Sequence, residues 1–464
     1  MRKVYLILLL LLSIGCLSQN KQILYNFRTV PQSLLTNPGA DFKYNYYFGV
    51  PLLSGISLNV GSTGFSTYDL FANNGVDFNT KLRDVLSSTS RKDKVILNEQ
   101  IELFNGGFKV GDWQNHAYVS FGMYQEFDFL SYMPKDLAIL ALDGNRDYLG
   151  KVFNLGDLNG RTEMLSVLHF GYNKNIRENL VVGMRAKIYS SIFNATSTDN
   201  SGYIYTIPGT TTAYEQVIYS NSQLNTSGIS PYIEEDSDVD AASDIQKKTF
   251  LGGNLGLGFD LGFTYYLQEN IQITASVLDI GFIKHSKEVE SFTYKGLYKY
   301  EGINPNFNDS DAPRDVYQEF KNAIPLDTIY TKYTTWRPTK LNASYQYSFD
   351  DSRGSDCSCS NDDAAYKNAV GAQLFLMTAP RAPIMALTGY YKRNVLSNLQ
   401  LKATYTLDSF SYTNIGLGLS TTIGKFNMYA MADNLLEYRD VSKANSLSFQ
   451  FGLNFIFKDN NEPF

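Results

Sequence analysis

The chain has 464 residues, 44% hydrophobic and 14% aromatic, with 40 basic and 46 acidic side chains and a net charge of −6. An acidic chain without a basic cluster excludes nucleic acid as a partner. After residue 18 there is no run of about 18 apolar residues, which excludes a transmembrane helix.

The first residues, "MRKVYLILLLLLSIGCLS", carry Arg2 and Lys3, then an apolar run, then small residues. This is the pattern of a secretory signal peptide over residues 1–18, cut after Ser18. Gly15 before Cys16 leaves a lipidated Cys16 as the alternative form of processing. An exported, aromatic-rich chain with no helical span can cross a bilayer only as a closed β-barrel.

Two short strands are expected at 43–50 and 55–61. Residues 63–107 then break the period-2 pattern. Phe78, Leu82, Val85 and Leu86 are spaced as on a helix, and so are Leu97, Ile101 and Phe104. This segment is expected to be a helical insert, serving as a plug in the lumen or a periplasmic lid. Twelve more strands follow, near 116–130, 162–175, 179–194, 250–267, 270–284, 336–350, 366–378, 382–394, 397–409, 411–423, 426–434 and 446–458.

Each alternates large apolar with polar or tiny residues. In "GNLGLGFDLGFTYYL" Leu255, Leu257, Phe259, Leu261 and Phe263 oppose Gly256, Gly258, Asp260 and Gly262. The last strand sets Leu447, Phe449, Phe451, Leu453, Phe455 and Phe457 against Ser448, Gln450, Gly452 and Asn454, with Ile456 breaking the rule. The segments are longer than usual soluble strands. Tyrosines gather at their ends, and short turns alternate with long loops, at 195–249 and 285–335. These are marks of a membrane barrel.

The expected fold is therefore all-β: one transmembrane antiparallel barrel of about fourteen strands (twelve to sixteen) over 19–464, exported to the outer membrane. Its apolar face meets lipid. Arg185, Lys187, Asp260, Lys402 and Asp408 fall on the lumen-facing phase, either as a charge network that holds a wall or plug, or as contacts for a polar ligand group in transit.

Catalytic chemistry is sparse. His116, His169 and His285 are scattered, and no hydrolase, P-loop or dinucleotide motif occurs. No enzymatic activity and no cofactor are expected. Asp236, Asp238 and Asp240 alternate as in a calcium loop, but Ala241 and Lys247 stand where Gly and Glu are needed. They are weak metal candidates beside the default of a solvated acidic loop. Cys357 and Cys359 form a C-x-C pair without further ligands, and no metal is assigned to them.

The stretch "LLTNPGADF", with Asn37, Pro38, Gly39 and Ala40, resembles the Asn-Pro-Ala motif that opens barrels of the long-chain fatty-acid transporter (FadL) type, a group that includes PorV. "RPTKLNASYQY" and "GLGLSTTIGKFNMYAMADNLL" look like an uncharacterised family of outer-membrane proteins, loosely akin to the PorP/SprF proteins of type IX secretion. The resemblance implies fold and location and carries over no substrate-binding residue. Two functions are expected to compete. The leading one, because the long loops exceed what a pore needs, is an accessory component of envelope or secretion machinery, with a protein partner. The other is a passive transporter for hydrophobic small molecules with a lumenal hatch. Outer-membrane lipid and, during biogenesis, the barrel-assembly machinery are the remaining expected partners.

Overall fold

The computed structural model describes residues 21–42, 44–112, 115–209, 213–233, 240–301, 312–351, 366–396 and 398–457. The expected signal peptide, Asp236, Asp238, Cys357 and Cys359 lie outside the described residues. In chain order the strands are β1 (Tyr46–Gly49), β2 (Ile56–Ser62), β3 (Lys94–Asp112), β4 (Asn115–Tyr132), β5 (Val152–Asn154), β6 (Gly160–Arg177) and β7 (Leu180–Ser197). Next come β8 (Ser201–Pro208), β9 (Tyr214–Ser227), β10 (Asn254–Gln268), β11 (Ile271–His285), β12 (Val289–Tyr300), β13 (Leu326–Ile329) and β14 (Tyr333–Trp336). The rest are β15 (Lys340–Asp351), β16 (Tyr366–Met377), β17 (Ile384–Leu396), β18 (Leu399–Asp408), β19 (Asn414–Ile423), β20 (Phe426–Asp433) and β21 (Ser446–Phe457).

The long strands pair antiparallel with their sequence neighbours, and β21 closes on both β1 and β2, so the sheet is a barrel of fourteen staves. Closure leaves the hydrophobic C-terminal strand no free backbone edge. The faces are inverted relative to a soluble protein. Leu257 is 59% exposed and Met184 58%, whereas Asp260, Lys402 and Asn454 are fully buried. A continuous coat of Leu, Phe and Tyr with charges inside is stable only if the coat meets hydrocarbon. The chain is thus an outer-membrane type of barrel, and no described helix is long and apolar enough to cross a membrane.

The stave count of fourteen agrees with the sequence reading, but two of its assignments are corrected. First, β1 and β2 are halves of one stave, because both pair with β3 on one side and β21 on the other. Pro51, which has no N–H for the ladder, and Leu52, at φ 63°, interrupt it. Second, residues 94–112 form a full stave rather than a helix. The step from Leu97 to Ile101 is even, as a strand requires. The odd step from Ile101 to Phe104 is absorbed by a bulge between Glu102 and Phe104. A bulge of this kind imitates helical spacing.

Within the expected insert, helices do form at Thr67–Phe71 and Phe78–Ser88. Asp77 caps the second, accepting from the N–H of Asn79 at 2.9 Å. They join the top of β2 to the top of β3, so they lie at the long-loop end and neither fill the lumen nor cover the turn end. The two long loops are also folded. β5, β8, β9, β12 and β13 make a sheet that extends from the wall through a β7–β9 pairing.

Candidate functional site in the barrel lumen

The plug is the N-terminal segment itself. Residues 21–42 run through the lumen as a series of turns, almost all buried. Three patches of side chains seat it against the wall. Ile23, Leu24, Phe27 and Val30 pack on Tyr429 and Met431. Leu34, Ala40 and Phe42 pack on Tyr47, Tyr118 and Ile456, which explains why Ile456 is apolar on the otherwise polar inward face of its strand. Leu35 rests on Tyr124, Leu165, Val167, Tyr189 and Ile283.

Most of the plug's backbone lies outside regular secondary structure, so its carbonyls need partners from the wall. Lys402 supplies one set, its ammonium donating to the carbonyls of Tyr25 (2.6 Å), Ile23 (3.0 Å) and Gln22 (3.5 Å). Arg185 supplies another, donating to the carbonyls of Leu34 (2.9 Å) and Leu35 (2.8 Å). Ser276 Oγ donates to Thr36 O at 2.7 Å, and Asn173 Nδ2 to Pro38 O and Ala40 O. Gln32 donates to Glu102 and Asn454.

Asn37, Pro38, Gly39 and Ala40 sit where the plug comes closest to the wall. Gly183 and Gly262 are direct cross-strand partners on β7 and β10. A Cβ on Gly183 would stand 2.1 Å from Pro38 O, and one on Gly262 2.1 Å from Asn37 Oδ1. Conversely, a Cβ on Gly39 would meet the carbonyl of Gly262 at 2.3 Å. Asn37 closes the motif, accepting from Gly39 N–H at 2.9 Å and donating to Phe263 O at 3.2 Å. The glycines let two backbones touch.

Of the five charged residues expected on the lumen phase, three belong to one buried ladder. Asp260 accepts from Arg185 (2.6 Å) and Lys187 (2.9 Å), and Lys187 also reaches Asp279 (2.5 Å). Lys340 joins Asp279 (3.0 Å) to Glu126 (3.5 Å), and Arg337 joins Glu126, Asp128 and Glu163. The ladder therefore runs from the loop-end rim down to the plug carbonyls held by Arg185. Lys402 lies apart from it, and Asp408 is at the rim, accepting from Phe410 N–H and Ser411 N–H. Sequence reasoning missed Glu126, Asp128, Asp279, Arg337 and Lys340. The alternation of Glu126 and Asp128 with Phe127 and Phe129 is the signal that marks two of them. Asp240 caps the helix Ala241–Lys247 through Ala242 N–H. His169 is buried in the wall beside Tyr124, ring centroids 5.8 Å apart.

Two adjoining spaces lie above the plug. At the loop end a narrow cleft of about 80 Å³ is lined by Ile96, Phe375, Met377, Pro380, Ile384 and Phe410 among others. Beneath it is a small polar chamber of about 50 Å³, lined by Lys187, Asp279, Glu126 and the plug's own Lys21, Leu35 and Thr36. Gln22, Asn98, Lys340 and Phe375 line both, so the two spaces adjoin.

The model of a family of unknown function, DUF5723, matches residues 38–433. The chain belongs to this family. The DUF5723 match begins at Pro38, so it takes in all but the first residue of the Asn37–Ala40 motif. No curated protein matches the chain. Among solved structures, this DUF5723 chain is similar to the Ralstonia pickettii toluene transporter TbuX, at 9% identity and a TM-score of 0.43, covering 92% of this chain and 94% of that one. It is similar to the P. putida toluene transporter TodX at 9% identity and 0.38, covering 96% and 97%. A Pseudomonas aeruginosa FadL homologue matches at 9% identity and 0.41, covering 96% and 99%.

Proposed function

We propose that the protein is a passive conduit for small hydrophobic molecules across the outer membrane, closed by its N-terminal segment. The observation that carries this reading is the order of layers along the lumen: an apolar cleft open at the loop end, a charged chamber below it, then a plug held mainly by hydrogen bonds to its carbonyls. An apolar solute gains by leaving water for the cleft. Its passage then requires the plug to shift. A plug fixed by discrete polar contacts over three small apolar patches can shift as a unit more easily than a β-strand of the wall.

The test is uptake of the hydrophobic fluorophore N-phenylnaphthylamine into vesicles carrying the purified barrel. Wild type is expected to speed uptake over empty vesicles. Phe375→Glu, which puts a charge between cleft and chamber, is expected to abolish the gain without unfolding the barrel. Equal uptake with and without the protein overturns the reading.

A second reading, docking of an envelope or secretion protein, is favoured by the loop-end sheet. Tyr203 there lies 5.4 Å from Tyr219 and 5.8 Å from Tyr205, and the short outer strand β13 is exposed along its whole length. Stoichiometric co-purification of one protein from mild detergent, lost when β13 is replaced by a Gly-Ser linker, is the outcome it requires.

A further inference from the structure

Between β9 and β10 the chain leaves the wall and returns to it on the outside. Ser190 stands on the same face of β7 as Met184 and Ile188, the face that meets lipid. Yet Ser190 is fully buried, because the turn Lys248–Gly252 lies over it. Its hydroxyl donates to Lys248 O at 2.6 Å and accepts from Gly253 N–H at 3.1 Å. The segment is therefore strapped to the lipid-facing side of the barrel at the loop end.

Its exposed side chains suit that position. Phe250 is 61% exposed just before the outward residues Leu255 and Leu257 of β10, and Ile233 is 71% exposed next to Tyr232, whose hydroxyl donates to Asp244. Next to them is a cavity of about 320 Å³ lined by Asp244, Lys247, Lys248, Asn254, Lys287 and Glu288. Lys248 engages both carboxylates, Asp244 at 2.7 Å and Glu288 at 2.6 Å. Lys247 and Lys287 are exposed and form no ion pair among the described residues. Lys287 is turned toward the turn, donating to Gly252 O at 2.8 Å. Lys284 projects from the exposed phase of β11, three residues before Lys287.

A cavity lined by three ammonium groups and two carboxylates, beside apolar residues at the rim of a lipid-facing band, matches an amphiphile with an anionic head. We propose that this cavity binds the phosphate-bearing headgroup of a lipid in the leaflet at the loop end. Lys247 and Lys287 contact the phosphate, and Phe250 and Ile233 lie along its acyl chains. The apolar patch continues an interface with lipid that the barrel already has, which is why lipid rather than a protein or a free anion is the occupant.

The test is native mass spectrometry of the full chain in dodecylmaltoside. It is titrated separately with dioleoyl phosphatidic acid, dioleoyl phosphatidylcholine and inorganic phosphate. Phosphatidic acid is expected to be retained in preference to both others. The double variant Lys247→Gln/Lys287→Gln should lose about thirtyfold in phosphatidic acid affinity, at roughly fivefold per lysine. Phe250→Ser with Ile233→Ser should weaken phosphatidic acid binding as well. Heat-dependent gel mobility checks that each variant is folded, and fluorophore uptake should be unchanged, which separates this site from the conduit. Equal retention of the two lipids, retention of inorganic phosphate as strong as that of phosphatidic acid, or wild-type binding by either double variant overturns the proposal.

Discussion

Replacing Gly262 with valine tests the plug through sterics alone. The wall should tolerate the change, since valine suits a strand better than glycine. The plug should not, because the new Cβ would stand 2.1 Å from Asn37 Oδ1 and 3.0 Å from Pro38 Cδ. Overpacking a close contact costs about 2 kcal/mol. Moving Asn37 also breaks its hydrogen bond to Phe263 O, worth about 1 kcal/mol. The seated plug is then destabilised by roughly 3 kcal/mol relative to the displaced one, a shift of about 150-fold in their ratio. Fluorophore uptake into vesicles should rise steeply while the heat-dependent gel mobility of the barrel holds. Hydrogen exchange should quicken in residues 34–42 and stay slow in β10. If Gly262→Val leaves both uptake and exchange at wild-type levels, the backbone contact between Pro38 and the glycine pair does not seat the plug.

Lys402→Met removes the donor to three plug carbonyls while keeping most of the side chain's bulk. Exchange at residues 22–25 should quicken and uptake rise, with the plug weakened by about 2–4 kcal/mol. Arg337→Met leaves Glu126 and Glu163 buried without their main cation, which should destabilise the barrel by about 3–5 kcal/mol and lower its heat-unfolding midpoint. Arg337→Lys should restore only part of this, since one ammonium cannot span three carboxylates. At the outer strap, burial alone would raise the Asp244 carboxyl, but hydrogen bonds from Lys248 and Tyr232 outweigh it and hold it below the usual 3.8. A depressed folded value means that the contribution of Asp244 is present above pH 3.8 and is lost as pH falls through the folded value. Exchange in residues 241–252 should therefore accelerate only in that acid range, and Asp244→Asn should remove the acid dependence.

Much of the architecture follows from alternation, because a strand with one greasy and one polar face has few places to go in an exported chain. Leu255, Leu257 and Phe259 against Gly256 and Asp260 already mark a barrel wall, whereas the expected count of fourteen rests on two errors that offset, one stave read as two and the stave at 94–112 read as helix. The plug was hidden for a physical reason. Residues 21–42 have neither period, since they fold only against the wall, and their carbonyls are satisfied by Lys402 and Arg185 from staves far away in sequence. The bulge near Glu102 disguised a strand as a helix, and Pro51 made one stave look like two. Local sequence therefore determined which faces meet lipid and which meet the lumen. Closure of the barrel alone decided what fills it, because the ion pairs of Arg337 and Lys340 with Glu126 join staves that do not pair and are neighbours only once the sheet has curled.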